Sequence, residues 1–262
     1  MRYLLTNLTT MIKFFRRIRQ NLLFENKTGK YLKYAIGEIV LVVIGILIAL
    51  QINNWNDIKK NKAIEHQLLK ALLEEFESNL KILDSTRLAN QRIYETAIKI
   101  GDFTGPSLPT LNEKDLSMHM VGAFKFEPRF VPNLGTMNEI NNSGKLSLIT
   151  DQDLRKSISE WLSQLELVHN QEKYVVERRD ISQEYFIKYA NFRRHLDIID
   201  DALLDATPSR FPNNDFNFLT NPEFESNLFL FIVASINLNR AFYEPMEKQT
   251  EILIRKIKQQ IE

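Results

Sequence analysis

Histidine is the side chain most often used as a metal ligand or a general base, and the chain contains four. They are His66, His119, His169 and His195, and no pair has the HxxxH or HExxH spacing that places two rings on one metal ion. Cysteine is absent, which excludes disulfides, thiolate ligands and a cysteine nucleophile. The sequence therefore predicts no metal site and no cofactor.

A glycine–lysine pair at residues 144–145 resembles the end of a phosphate-binding loop. The next residue is Leu146, where such a loop needs Ser or Thr, and Gly135 lies nine residues upstream instead of five. Neither GxSxG nor GxGxxG occurs. Carboxylate runs such as residues 74–77 have the pattern of solvated helix faces. The sequence thus indicates a protein that is not an enzyme.

Two features inside the apolar stretch 34–52 could do more than anchor the chain. Glu38 is ionisable, and an acid within a membrane span is a candidate for ion or proton coupling. It lies close to one end of the stretch, where water or Lys33 could reach it, so an interfacial role is favoured and the coupling role stays open as the alternative. Gly45 and Ala49 form a small-xxx-small pair suited to close helix–helix packing.

A third candidate site combines aromatic and basic side chains. Phe124, Phe126 and Phe130 alternate with Lys125 and Arg129. Aromatic rings beside cations suit ligands, glycans or partner proteins, which makes this segment a possible recognition loop. In the alternative interpretation, the phenylalanines close the end of a helical bundle and only the cations are exposed.

The elements that carry these residues begin with a predicted transmembrane helix at residues 34–54. Ile39 to Leu50 is an unbroken apolar run, and a helix of about 20 residues crosses a hydrocarbon core of about 30 Å. Tyr34 and Trp55 stand at its ends, where interfacial aromatics belong. The run lacks the polar face of a core helix and the cleavage site of a signal peptide.

Charge predicts the orientation of this helix. Residues 1–33 carry eight Lys/Arg against one acid, whereas the rest of the chain has 26 basic and 32 acidic residues. The positive-inside rule places residues 1–33 in the cytoplasm and the domain 55–262 on the far side of the bilayer. Residues 11–23 have the spacing of an amphipathic helix on the inner leaflet, with a plain topogenic segment as the alternative. Because an anchor follows this basic head, we expect it to meet lipid and not nucleic acid.

Helical spacing continues beyond the span. The first helix is predicted to run on to Gly101, as a rod of about 100 Å at about 1.5 Å per residue. A second stretch without Gly or Pro covers residues 145–207, with Thr150 and Asp153 as a capping box. Its apolar stripe is assigned to the positions Leu154, Ile158, Trp161, Leu162, Leu165, Val168, Tyr174, Ile181, Tyr185 and Tyr189.

A third helix is predicted to begin at Asn221–Pro222 and to kink at Pro245. The apolar run Leu228–Ala234 is expected to make it the most buried helix. The connection 101–149, with a short helix at Lys114–Val121, is expected at the membrane-distal end. The predicted fold is therefore mainly α, a single N-terminal transmembrane helix that continues into an extended antiparallel helical bundle.

Three segments resemble a known family. They are MIKFFRRIRQNLL at 11–23, GKYLKYAIGEIVLVVIGILIALQINNWN at 29–56 and NEINNSGKLSLITDQDLRKSISEW at 138–161. They are similar to an uncharacterised single-pass membrane family of Bacteroidota-type bacteria, a domain-of-unknown-function family. The resemblance implies a Gram-negative inner membrane and a periplasmic helical domain, and it implies no activity.

Together these patterns predict a non-enzymatic, membrane-anchored periplasmic scaffold or partner-binding protein of the cell envelope. Its expected partners are the lipid bilayer and either further copies of itself, as a homo-oligomer, or another envelope protein. The alternatives are an ion-coupled accessory or sensor subunit that uses Glu38, and a hydrolase acting in the envelope.

Overall fold

The computed structural model describes residues 28–108, 110, 112–199, 207–211 and 214–262. These residues form helices and no strand, which confirms the mainly α prediction. The chain divides into two compact units, Met1–Ala63 and Ile64–Glu262. The amphipathic segment predicted at 11–23 lies outside the described residues.

Helix α1 runs from Thr28 to Gly101, so the prediction of one helix continuing from the apolar stretch to this glycine is confirmed. No Gly or Pro interrupts it between Ile46 and Ile100, and its backbone hydrogen-bond ladder is therefore not broken there. The large apolar side chains from Ile39 to Leu50 are 47–63% exposed. Within the described residues, α1 is the helix that is long and apolar enough to cross a membrane.

The second unit contains the later part of α1, followed by further helices and short 3₁₀ turns. In chain order the helices are α2 (Glu113–Phe124), α3 (Gly135–Asn142), α4 (Gln152–Tyr189), α5 (Phe192–Ile199), α6 (Pro222–Asn237) and α7 (Glu244–Ile261). The 3₁₀ turns lie at Lys145–Leu148 and Asn217–Thr220, and a π-helical segment, Leu238–Tyr243, joins α6 to α7. The short helix predicted at Lys114–Val121 is α2.

The connection between α1 and α4 starts at the far end of α1 and then runs back along it, so the prediction that all of it lies at that end is wrong. Buried Asn79 exchanges two 2.7 Å hydrogen bonds with the backbone of Asn133. Buried Glu75 accepts from the N–H of Thr136, and Glu65 accepts from the N–H of Thr150. Non-helical backbone needs such partners when it leaves water. Polar side chains on α1 therefore hold the returning chain.

Helix α7 also runs antiparallel to α1. Asn90 of α1 contacts Asn239 just before α7, whereas Glu77 contacts Lys258 near its end. Between these contacts lies the hydrophobic core, in which Trp161 of α4 packs edge-on against Phe76 with ring centroids 5.1 Å apart. The indole N–H donates to Thr250 of α7 at 2.8 Å, so this large buried side chain has its polar atom satisfied.

Helix α4 is shorter than the predicted stretch 145–207. It starts after Asp151, whose side chain accepts from the N–H of Leu154 at 3.0 Å, so the predicted cap at Thr150 is wrong by one residue. Thr150 is instead bound to Glu65. The helix ends at Tyr189 because Ala190 is extended, and the next N–H, of Asn191, donates to Asn214 at 2.7 Å.

Helix α6 begins where predicted, with Asn221 capping the N–H of Glu223 at 2.8 Å and Pro222 at the first position. The prediction that it is the most buried helix is wrong. An apolar run of seven residues goes almost twice around a helix of 3.6 residues per turn, so part of it faces away from the core. Phe229, Leu230 and Val233 are exposed.

The kink at Pro245 stays a prediction, and the structure has a π-helical segment, Leu238–Tyr243, that ends two residues before this proline. Proline has no N–H to give to the turn below it, and a widened turn accommodates that loss. The buried Asn90 donates to the Ser235 carbonyl at 2.9 Å and to the Asn239 side chain at 2.8 Å. This contact joins α1 to the widened turn.

Candidate functional site

The predicted recognition loop lies in the strap, defined here as residues 125–134 between α2 and α3, except for Phe124, which ends α2. The strap is neither helix nor strand. Pro128 and Pro132 lie within it, and proline keeps both its own residue and the preceding one in extended conformations. Long stretches of such backbone need partners from elsewhere in the molecule.

Two of the predicted aromatic residues hold the strap and do not face solvent. Phe124 and Phe130 are each 1% exposed. The ring of Phe124, the last residue of α2, lies 6.0 Å from Phe186 of α4 and 6.2 Å from Phe231 of α6. For these two phenylalanines the packing interpretation of the sequence is the one that the structure favours.

Arg179 of α4 fixes the middle of the strap. Its guanidinium donates to the Phe126 carbonyl at 3.3 Å and to the Glu127 carboxylate at 2.9 Å. A further contact, at 2.7 Å, joins it to Asp180. The Arg179 side chain is 7% exposed, and two carboxylates offset the cost of burying its charge.

Glu172 of α4 fixes the end of the strap. The residue is 4% exposed, and its Oε1 accepts from the Phe130 N–H and from the Tyr243 hydroxyl, each at 2.7 Å. Burial raises the pKa of Glu172, while these two hydrogen bonds oppose the shift. Burial and the nearby carboxylate raise the pKa of Tyr243. His169 Nε2 lies 3.1 Å from the Phe130 carbonyl and acts as donor there.

The outer side of the strap remains accessible. Phe126 is 61% and Val131 65% exposed, and Arg129 is exposed between them. Lys125 Nζ lies 5.5 Å from the centre of the Phe126 ring. The sequence thus grouped aromatic residues with opposite roles: Phe124 and Phe130 are buried, whereas Phe126 is exposed.

A groove lies on each side of the strap. The groove toward α1 has a volume of about 550 Å³, and that toward α4 about 530 Å³. Apolar atoms of Ile82, Ala89, Phe126 and Pro128 line the first groove, which also contains the cations Lys81 and Arg129. Glu127 is there too, and it shares the Arg179 guanidinium with Asp180. The groove toward α4 is lined mainly by Glu127, Pro128, Arg129, His169, Asn170, Glu172, Lys173 and Glu177.

One buried contact superficially resembles hydrolase chemistry. Ser117 Oγ lies 2.6 Å from His195 Nδ1, and Asn214 Nδ2 lies 3.2 Å from His195 Nε2. The Asn191 N–H donates to Asn214 Oδ1, which identifies Asn214 Nδ2 as the donor to Nε2. The imidazole proton therefore lies on Nδ1 and the serine oxygen accepts it. This is the opposite of an activated nucleophile, and both side chains are 0% exposed.

A comparison with protein-family models matches residues 38–204 to a family of unknown function, DUF6090. The chain belongs to this family. The match covers α1 from Glu38, the whole strap and the α4 residues that hold it, and it stops before α6 and α7. No curated protein and no solved structure matches the chain.

The remaining predicted site residues of this DUF6090 member lie on the first part of α1. Glu38 is partly buried. Gly45 and Ala49 are exposed, and a Cβ added at Gly45 would meet nothing within 4 Å. The described residues contain no group of three or more His, Asp or Glu side chains arranged to hold a metal ion.

Proposed function

We propose that this DUF6090 protein is a non-enzymatic, membrane-anchored partner-binding protein of the bacterial envelope, with its helical domain in the periplasm. The observation that carries the proposal is the strap. Buried Glu172 and Arg179 hold its backbone, yet Phe126, Arg129 and Val131 are directed to solvent beside an open groove. A preorganised segment of this kind loses little conformational entropy on binding.

The anchor part of the proposal is supported by the exposed apolar surface of α1. A continuous apolar surface of this extent is rare on proteins surrounded by water and typical of contact with lipid or protein. Its length matches a hydrocarbon core of about 30 Å. We therefore expect this surface of α1 to contact the lipid bilayer.

The groove toward α1 indicates the chemistry of the partner. Its lining is mostly apolar, and its charged residues are two cations, Lys81 and Arg129, and one carboxylate, Glu127. A partner protein that offers an apolar side chain next to a carboxylate would match it. An aromatic anchor with an arginine beside it is a common composition of binding hot spots.

Photo-crosslinking in cells tests this function. A benzoyl-phenylalanine placed at Phe126 of the full-length protein is expected to give a discrete adduct with another envelope protein. Phe211 is similarly exposed, at 69%, and serves as the matched control position. The adduct is expected to fall at least tenfold in the Arg129→Glu variant. Equal adducts from both positions, or none from Phe126, would contradict the proposal.

The alternative in which Glu38 couples ion movement to the domain has a separate test. Glu38→Gln keeps the size and hydrogen-bonding capacity of the side chain and removes its charge. A coupling role requires the variant to lose the phenotype of the wild-type gene, whereas a tether retains it. The comparison is made in a deletion strain at matched expression.

A further inference from the structure

The groove toward α4 has at its floor a hydrogen-bonding group that is not in use. Glu172 lines this groove and is only 4% exposed. Its Oε1 accepts from the Phe130 N–H and from the Tyr243 hydroxyl, whereas no described residue donates to its Oε2. Oε2 is not completely buried, so a molecule in the groove can reach it. The groove therefore offers a carboxylate oxygen to a ligand that carries N–H donors.

Unpaired charges of both signs lie around this oxygen. Arg129 of the strap and Lys173 of α4 line the groove as cations, and Glu177 of α4 lines it as a carboxylate. All three are exposed, and none forms an ion pair with a described residue. Glu127, by contrast, is paired with Arg179 at 2.9 Å. The groove volume of about 530 Å³ lies in the range of about 300–1,000 Å³ that is typical of small-molecule sites.

These charges indicate the class of ligand. A simple anion would face the carboxylates of Glu172 and Glu177. A simple cation would face Arg129 and Lys173, so either ligand would meet groups of its own sign. A zwitterion matches both sets of groups. Its charged ends need not be far apart, because Arg129 directly precedes Phe130, whose N–H is held by Glu172.

We propose that the groove toward α4 binds a short zwitterionic peptide, with its ammonium group at Glu172 and its carboxylate at Arg129. The ammonium donates to Oε2, and the guanidinium holds the carboxylate with two parallel N–H bonds. The peptide group between these ends supplies a donor for Glu177 and an acceptor for Lys173. This site goes beyond the proposed partner binding, which uses the groove toward α1.

Glu172→Gln changes the group that faces the ligand and keeps the one that holds the strap. The glutamine carbonyl oxygen accepts from Phe130 and Tyr243 in place of Oε1, so its NH₂ group lies where Oε2 was. An NH₂ group cannot accept a hydrogen bond from an ammonium. Glu166 is exposed on α4 and does not line the groove, so Glu166→Gln is the matched control.

The experiment titrates dipeptides into the full-length protein in detergent and measures binding by calorimetry. The probes are dipeptides Xaa-Ala with free termini, one for each amino acid at the first position. At least one is expected to bind, and acetylation of its N-terminus is expected to weaken binding at least tenfold in wild type and in Glu166→Gln. In Glu172→Gln the free dipeptide is expected to bind at least tenfold more weakly, and acetylation to change little further. Amidation of the C-terminus has the same expected relation to Arg129→Gln.

Unchanged circular dichroism checks that the variants are folded. Absence of binding by every dipeptide at millimolar concentration would overturn the proposal. A Glu172→Gln protein that binds as tightly as wild type, or an acetylated dipeptide that binds as tightly as the free one, would also overturn it. If the amidated dipeptide bound wild type as tightly as the free one, the ligand would be a cation and not a zwitterion, which equally contradicts the proposal.

Discussion

At the scale of single residues, His195 has the environment with the clearest consequence for stability. It is fully buried between Ser117 and Asn214, and burial lowers its pKa from 6.5 to about 4. The other charged groups next to it are Glu113, which raises the pKa, and Arg194, which lowers it. Arg194 and Glu113 pair with each other at 2.8 Å, so their effects largely cancel. The native state therefore favours a neutral imidazole.

The sign of the pH effect follows from proton binding. Between about pH 6.5 and 4 the unfolded chain protonates this histidine and the folded chain does not. Acid therefore favours unfolding, and we expect a loss of about 3 kcal/mol across this range, at about 1.4 kcal/mol for each pH unit. His195→Gln is expected to remove that slope, and His66→Gln, at an exposed position, to keep it. Urea unfolding of the full chain in detergent at several pH values measures how the free energy of unfolding depends on pH. Identical slopes in wild type and His195→Gln would show that His195 is not the source of the effect.

Glu172 is the second residue with a defined role, since one of its oxygens satisfies two buried donors. Glu172→Ala leaves the Phe130 N–H and the Tyr243 hydroxyl without that acceptor, at a cost of about 1–3 kcal/mol for each. Glu172→Gln keeps an acceptor oxygen and is expected to cost about 1 kcal/mol or less. Denaturant unfolding followed by tryptophan fluorescence compares them. Equal losses in the two variants would show that the carboxylate charge, not the acceptor, is what matters.

Neither Glu172 nor Arg179 was found from the sequence, although α4 contained a signal. The buried residues of α4 continue from Val168 through Glu172, Val175, Arg179, Ser182 and Phe186. The predicted stripe shifted instead to Tyr174, Ile181, Tyr185 and Tyr189. Two charged residues at core positions of a helix indicate partners from elsewhere in the fold. Those partners lie on the strap and on the π-helical segment before α7, too far away in sequence for local periodicity to show.

At the scale of elements, the sequence predicted the helices whose ends are set locally. The end of α1 at Gly101 and the start of α6 at Asn221–Pro222 depend on residues at the boundary itself. The end of α4 at Tyr189 depends on Asn214, whose side chain accepts a hydrogen bond from the N–H of Asn191, 23 residues earlier. The return of the strap along α1 likewise depends on distant side chains. Such boundaries have no local sequence pattern.

The cap of α4 offers an element-scale prediction with an internal control. Asp151 accepts from the N–H of Leu154 and from Gln260 of α7. Asp153 lies in the same first turn and is exposed. Both substitutions to Ala remove one negative charge near the helix N-terminus, so their difference reports the cap together with the contact to Gln260. Asp151→Ala is expected to cost about 1 kcal/mol more than Asp153→Ala in urea unfolding. A larger cost at Asp153 would restore the cap predicted from the sequence.

At the scale of the whole molecule, the chain combines two units of different surface chemistry. The first has apolar side chains on its exterior over the length of a membrane span, and the second buries most of its apolar residues in a core, with exceptions such as Phe126 and Val233. Sequence hydropathy finds the first surface because it depends on composition alone. The second requires knowing which half of an apolar run faces the core, and composition does not contain that information.

The proposed orientation across the membrane gives the last prediction. Six basic residues lie at 14–33 and three at 53–62, and the more basic flank stays in the cytoplasm. Because the chain lacks cysteine, Ser107→Cys and Asn21→Cys each supply a single thiol. A membrane-impermeant maleimide added to intact spheroplasts is expected to label exposed Ser107→Cys and not Asn21→Cys. Permeabilised cells, in which both are expected to react, provide the control. Labelling of Asn21→Cys alone in intact spheroplasts would reverse the orientation and place the strap in the cytoplasm.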